Sequence, residues 1–228
     1  MGPNLQAVRL AAVVSLGVAY ANHVEGGHNS IEAKDPEPHA YVDLYWIPLG
    51  AGAHVVRLSG KLVEAIAARI QRRPRHDLYH SALIAQLPEG RFVIEQTPVI
   101  DRRGVERGVT VEGPVGTKLA GHLRLFRYEV RRWRDGIIPD LADAVGEPVR
   151  VTDDPAQASR IVEFVAAVPP LVWGRDEHGT GEMWNSNSIV SWLLTSAGVD
   201  TSAIEPPPGG RAPGWRAGIA VAGRTAEG

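Results

Sequence analysis

Two runs of strand-forming residues, 81–87 and 91–97, are separated by only Pro88-Glu89-Gly90. So short a link fixes them as an antiparallel pair, because parallel neighbours need a crossover of a dozen residues or more. Any fold for this chain must therefore contain antiparallel sheet. Tyr41-Val42-Asp43-Leu44-Tyr45-Trp46-Ile47 supplies another strand that stops at Pro48. Leu123 to Val130 alternates apolar and polar residues, which is the pattern of a strand with one wet face.

Helical signals flank the hairpin and the 123–130 strand rather than alternating with each strand. Ser59 heads a run to Ile70 with apolar residues at 62, 63, 66 and 70. Asp153-Asp154-Pro155 opens a helix over about 156–167, with proline in the first turn and acids at the positive end of the dipole. Asn185-Ser186-Asn187-Ser188 leads into a further helix that ends at Gly198, a fitting C′ residue. The expected class is α+β, a small antiparallel sheet packed against helices. Residues 1–40 read as an N-terminal helix and linker, 41–200 as the α+β domain, and 201–228 as a Pro/Gly-rich tail of coil. The glycine-rich stretch 101–121 reads as a long loop.

Composition narrows the functional classes. A net charge of −2 gives no global case for nucleic acid. The absence of cysteine removes disulfides, thiolate metal sites and a cysteine nucleophile. No cofactor or metal motif is recognisable, and no apolar run reaches the roughly 18–20 residues of a membrane span. Arg9, Leu10 to Val18 and then Ala19-Tyr20-Ala21 form a short signal-like start. A cytoplasmic location is the expectation, with export as the alternative. The expected partner is a small-molecule or peptide substrate, and the sequence does not fix an oligomeric state.

The chemistry-bearing candidates lie at the hairpin and at the later helix start. A hydroxyl at a helix N-terminus sits among unpaired N–H groups at the positive end of the dipole, and a nearby imidazole could act as its base. Ser186 and His80 fit those roles. Asn and Ser are equally the preferred N-cap residues, so the same cluster also reads as a helix cap. The apolar stripe Val190, Leu193, Leu194 and Ala197 turns Ser186 inward and Ser188, about 200° away, sideways. Asp176 and His178, in the loop before the helix, and Trp184, with Asn185 and Asn187, are candidates for lining a binding pocket.

The order of a histidine at a hairpin strand, a polar residue on the next strand and a polar cluster opening a later helix resembles circularly permuted papain-like proteins. These include the lecithin-retinol-acyltransferase-like enzymes and permuted NlpC-type peptidases. The resemblance implies a nucleophile, a histidine base and an orienting residue: Ser186 in place of the family's cysteine, His80, and Glu95 or Gln96. It implies a hydrolase or acyltransferase acting on an amide or ester, or else a binding module without the nucleophilic cysteine. Arg132-Trp133-Arg134-Asp135-Gly136 and Asn185-Ser186-Asn187-Ser188 also look similar to an uncharacterised bacterial family in which Asn-Ser-Asn-Thr opens a helix.

Overall fold

The computed structural model describes residues 40–49, 77–99 and 107–226. The N-terminal segment before Ala40, the helix expected after Ser59, and His76 lie outside the described residues. Within them run β1 (Tyr41–Pro48), β2 (Asp77–Leu87), β3 (Gly90–Pro98), β4 (Val109–Pro114), β5 (Arg127–Arg134) and β6 (Val149–Thr152). These pair in the order β4-β5-β3-β2-β1-β6, each neighbour antiparallel. A two-residue strand, β7 (Gly210–Arg211), pairs in parallel with Asp77 and Leu78 at the start of β2. The helices are α1 (Pro155–Phe164), α2 (Ser186–Ser196) and α3 (Trp215–Ala226). The class is α+β, and no helix among the described residues is long and apolar enough to cross a membrane.

The β2–β3 hairpin closes on the pair Leu87 and Gly90, as the Pro-Glu-Gly turn requires. Strand β2 reaches back to Asp77, so His80 lies inside the strand rather than at its mouth. Alternation along the strands divides the sheet into two unlike faces. One face carries Val42, Leu44, Tyr79, Leu83 and Ile94, which pack with Ile161 of α1 and Ile189, Val190 and Leu193 of α2 in the main core. The other carries Ile47, Ala82, Ile84 and Val93 against Ile138.

Local signals place the helices. Asp154 accepts from the backbone N–H of Ala156 (2.7 Å) and Gln157 (3.0 Å), with Pro155 in the first turn of α1. Gly198 follows α2 with φ +82°, the left-handed conformation that ends a helix.

Three expectations need correction. The stretch 101–121 is not all loop, because β4 lies within it. As an edge strand it buries little, and its apolar pattern is correspondingly thin. The strand expected over Leu123–Val130 is displaced: Arg124–Phe126 forms a short 3-10 turn, and β5 runs from Arg127 to Arg134. The tail is not all coil: β7 lies at Gly210–Arg211, and α3 follows, burying Trp215, Ala217, Val221 and Ala222. Glycines at 214, 218 and 223 obscured that helix, and packing against α2 stabilises it.

Candidate functional site

At the start of α2, nearly every polar atom is engaged. Asn185 is the N-cap: its Oδ1 accepts from the N–H of Asn187 (2.9 Å) and Ser188 (3.3 Å), and its Nδ2 donates to the Pro213 carbonyl (2.8 Å). Ser188 Oγ reciprocates by accepting from the Asn185 N–H (3.1 Å) and donates to the Gly214 carbonyl (2.8 Å). Asn187 is buried. Its Nδ2 donates to the carbonyls of Tyr79 and Pro213, both at 2.9 Å, and its Oδ1 accepts from Ser81 Oγ at 2.9 Å. The cluster therefore ties α2 to strand β2 and to the turn that begins α3. Gly214 (φ +88°) is required there, since a Cβ would stand 2.6 Å from Asn185 Oδ1 and 2.7 Å from Ser188 Oγ.

The expected orientation of the two serines is reversed. Ser188 is fully buried, and Ser186 is half-exposed with no hydrogen-bond partner among the described residues. The stripe Val190, Leu193, Leu194 and Ala197 implies a helix buried on one side only. In fact α2 is covered on two sides, and Ser188 and Ser191 face α3, where Ser191 Oγ donates to the Trp215 carbonyl (2.7 Å).

His80 does not meet Ser186. It follows Tyr79 and precedes Ser81 in β2, and Ser81 is the residue that reaches α2. His80 therefore projects from the other face. There its Nε2 lies 3.2 Å from Asp140 Oδ2, with both side chains about one-fifth exposed. Glu95 projects from this same second face, opposite Arg131 of β5. Arg131 Nη1 donates to Glu95 Oε1 (3.1 Å), and its Nε donates to Glu129 Oε1 (2.6 Å). Arg107 also holds Glu129, through Nε at 3.2 Å. Burial pushes the Glu95 carboxyl above the usual carboxylate range, opposed by Arg131; Asp140 raises it further and His80 lowers it. Glu95 is thus anchored to arginine and does not orient the imidazole, which is held by Asp140, a residue the sequence reading passed over. Nothing in the sequence distinguishes Asp140 from other loop acids. Gln96 pairs with Val130 on the helix-covered face, away from His80.

The remaining candidates serve structure. Trp184 is buried in the main core rather than lining a groove. Asp176 accepts from the N–H of Thr180 and of Gly181, both at 2.8 Å, and closes its own loop; those bonds hold its carboxyl below the usual range. His178 is exposed, and its carbonyl accepts from Arg224 (2.7 Å). The Arg-Trp-x-x-Gly segment ends β5, where Asp135 turns with φ +53° and Arg91 Nη1 donates to the Gly136 carbonyl (2.8 Å). Among the described residues, no three His, Asp or Glu side chains converge as metal ligands would.

Among the described residues, an open groove of about 550 Å³ runs between residues 201–213 and the start of α3. Ile204, Trp215 and Ile219 give it an apolar wall, and Glu182, Arg211 and Arg216 contribute charge. The Glu182 carboxylate accepts from the Arg216 N–H (3.1 Å). No family model, curated protein or solved structure matches this chain.

Proposed function

We propose that this protein is a non-catalytic binding module of permuted papain-like layout, in which the Asn185–Ser188 cluster is a structural latch and the groove beside α3 takes a small molecule or peptide. The observation that carries this reading is the direction of His80: it leans onto Asp140 from the sheet face opposite α2, so among the described residues the Ser186 hydroxyl has no base bonded to it. A serine needs such a base, being a weak nucleophile at its own pKa. The groove volume lies in the range of small-molecule sites.

The hydrolase or acyltransferase reading keeps one observation in its favour: Ser186 is a half-exposed hydroxyl at a helix N-terminus, free of protein partners among the described residues. A fluorophosphonate probe and a generic ester separate the two. The binding reading expects no labelling and no turnover by the wild type. Labelling or turnover that Ser186→Ala abolishes, with the variant folded by circular dichroism, would exclude it.

A further inference from the structure

Arginine is used in a consistent way across the described residues. Arg91, Arg132, Arg134, Arg160, Arg175 and Arg224 donate to backbone carbonyls. Arg107, Arg127, Arg131 and Arg150 hold carboxylates. Arg124, Arg211 and Arg216 are the exceptions among the described residues, their guanidinium groups having neither kind of partner there. Two of those three line the same cavity. Arg211 is only half-exposed, held on β7 by pairing with Leu78, and Arg216 stands in the first turn of α3. Glu182 and Glu205 line the groove too, but among the described residues neither is ion-paired with these guanidinium groups: the Glu182 carboxylate accepts from the backbone N–H of Arg216, and Glu205 is exposed.

From this arrangement we propose that the groove binds a carboxylate joined to an apolar group, with Arg211 and Arg216 holding the carboxylate and Ile204, Trp215 and Ile219 receiving the apolar part. Guanidinium is the side chain best shaped to grip a carboxylate through paired N–H donors. The adjacent aliphatic and indole surface selects for a molecule with an apolar body over a bare inorganic anion. A free organic acid and the C-terminus of a peptide both present this chemistry. The inference rests on the binding reading above and names the ligand class of its groove.

The test uses the full chain and tryptophan fluorescence or calorimetry, with N-acetyl-isoleucine and Ala-Ala-Ile as probes and their C-terminal amides as controls. At least one acid is expected to bind and its amide to bind about tenfold more weakly or not at all. The tighter acid identifies the source as free acid or peptide end. Arg211→Gln and Arg216→Gln are each expected to weaken the acid about tenfold, and the double variant more, with the circular dichroism spectrum unchanged. Equal binding of acid and amide, undiminished binding by the double variant, or no binding of either acid at millimolar concentration would each overturn the proposal. Such failure leaves the binding reading intact, whereas only Ser186-dependent turnover removes that one.

Discussion

A single peptide step in β2 separates Ser81, which reaches α2, from His80, which points to the other face. The same one-residue logic governs the helix start, where three neighbours differ widely in what their loss should cost. Asn187→Ala would take the amide partner from the buried Tyr79 carbonyl and the Ser81 hydroxyl and leave the Pro213 carbonyl only Asn185, at about 3 kcal/mol. Ser188→Ala removes half of the capping box and the bond to Gly214, at about 2 kcal/mol. Ser186→Ala breaks no bond among the described residues and should stay within about 0.5 kcal/mol. Urea denaturation of the three variants gives this ranking directly, and a Ser186→Ala loss as large as that of Asn187→Ala would contradict it. Glu95 carries a second residue-scale prediction. Its native carboxyl keeps its proton to higher pH than the unfolded one, chiefly through burial, so its contribution to stability falls as pH rises through that window and stays low above it. Glu95→Gln should therefore gain thermal stability relative to wild type as pH rises from the usual carboxylate range upward. Melts that show the variant losing ground over that range would mean that the ion pair with Arg131 outweighs burial.

Helices α2 and α3 touch through small residues, and that contact explains why some elements were legible in the sequence and others were not. A turn, a cap and an apolar stripe announce the hairpin, α1 and α2, and all three are in place. Helix α3 has the residues a helix usually avoids, because Gly218 permits close approach: a Cβ there would stand 2.0 Å from the Ser188 carbonyl oxygen and 2.1 Å from Ser191 Oγ. Gly223, five residues on, faces open space. Gly218→Ala should thus cost at least about 2 kcal/mol through overpacking, although alanine is the better helix former. Gly223→Ala should instead gain about 0.5–1 kcal/mol. Thermal melts of the pair read this contact, and a stabilising Gly218→Ala would show that α2 and α3 separate easily. The pattern of serines at 188 and 191 was visible in the sequence, but its meaning depended on a second helix whose propensity is poor. The candidate site failed to assemble for a related reason. Residue order brought Ser186 and His80 into one neighbourhood, but strand parity decides which face each side chain takes, and parity depends on where β2 begins.

At the scale of the whole molecule, the C-terminal segment is an integral part of the core. Trp215 packs on Trp46 of β1 with ring centroids 5.2 Å apart, and the carbonyls of Pro213, Gly214 and Trp215 accept the donors of Asn185, Asn187, Ser188 and Ser191. The strand β7 adds a parallel pairing to the start of β2, so one segment touches the sheet, α2 and the hydrogen-bonded latch between them. A composition rich in proline and glycine suggested that 201–228 was coil, but Trp215, Ala217, Val221 and Ala222 are buried. Truncating one buried tryptophan costs about 3–5 kcal/mol, and a domain has only about 5–15 kcal/mol of net stability. Deleting 201–228 removes Trp215 together with Val221, Ala222 and the acceptors of buried hydroxyl and amide groups. The truncated chain should therefore show no cooperative thermal transition, while Trp215→Ala in the full chain should still fold with a lower midpoint. A truncated protein that melts cooperatively within a few degrees of wild type would show that α1, α2 and the sheet are sufficient, and that the latch at Asn185–Ser188 does not depend on the turn it grips.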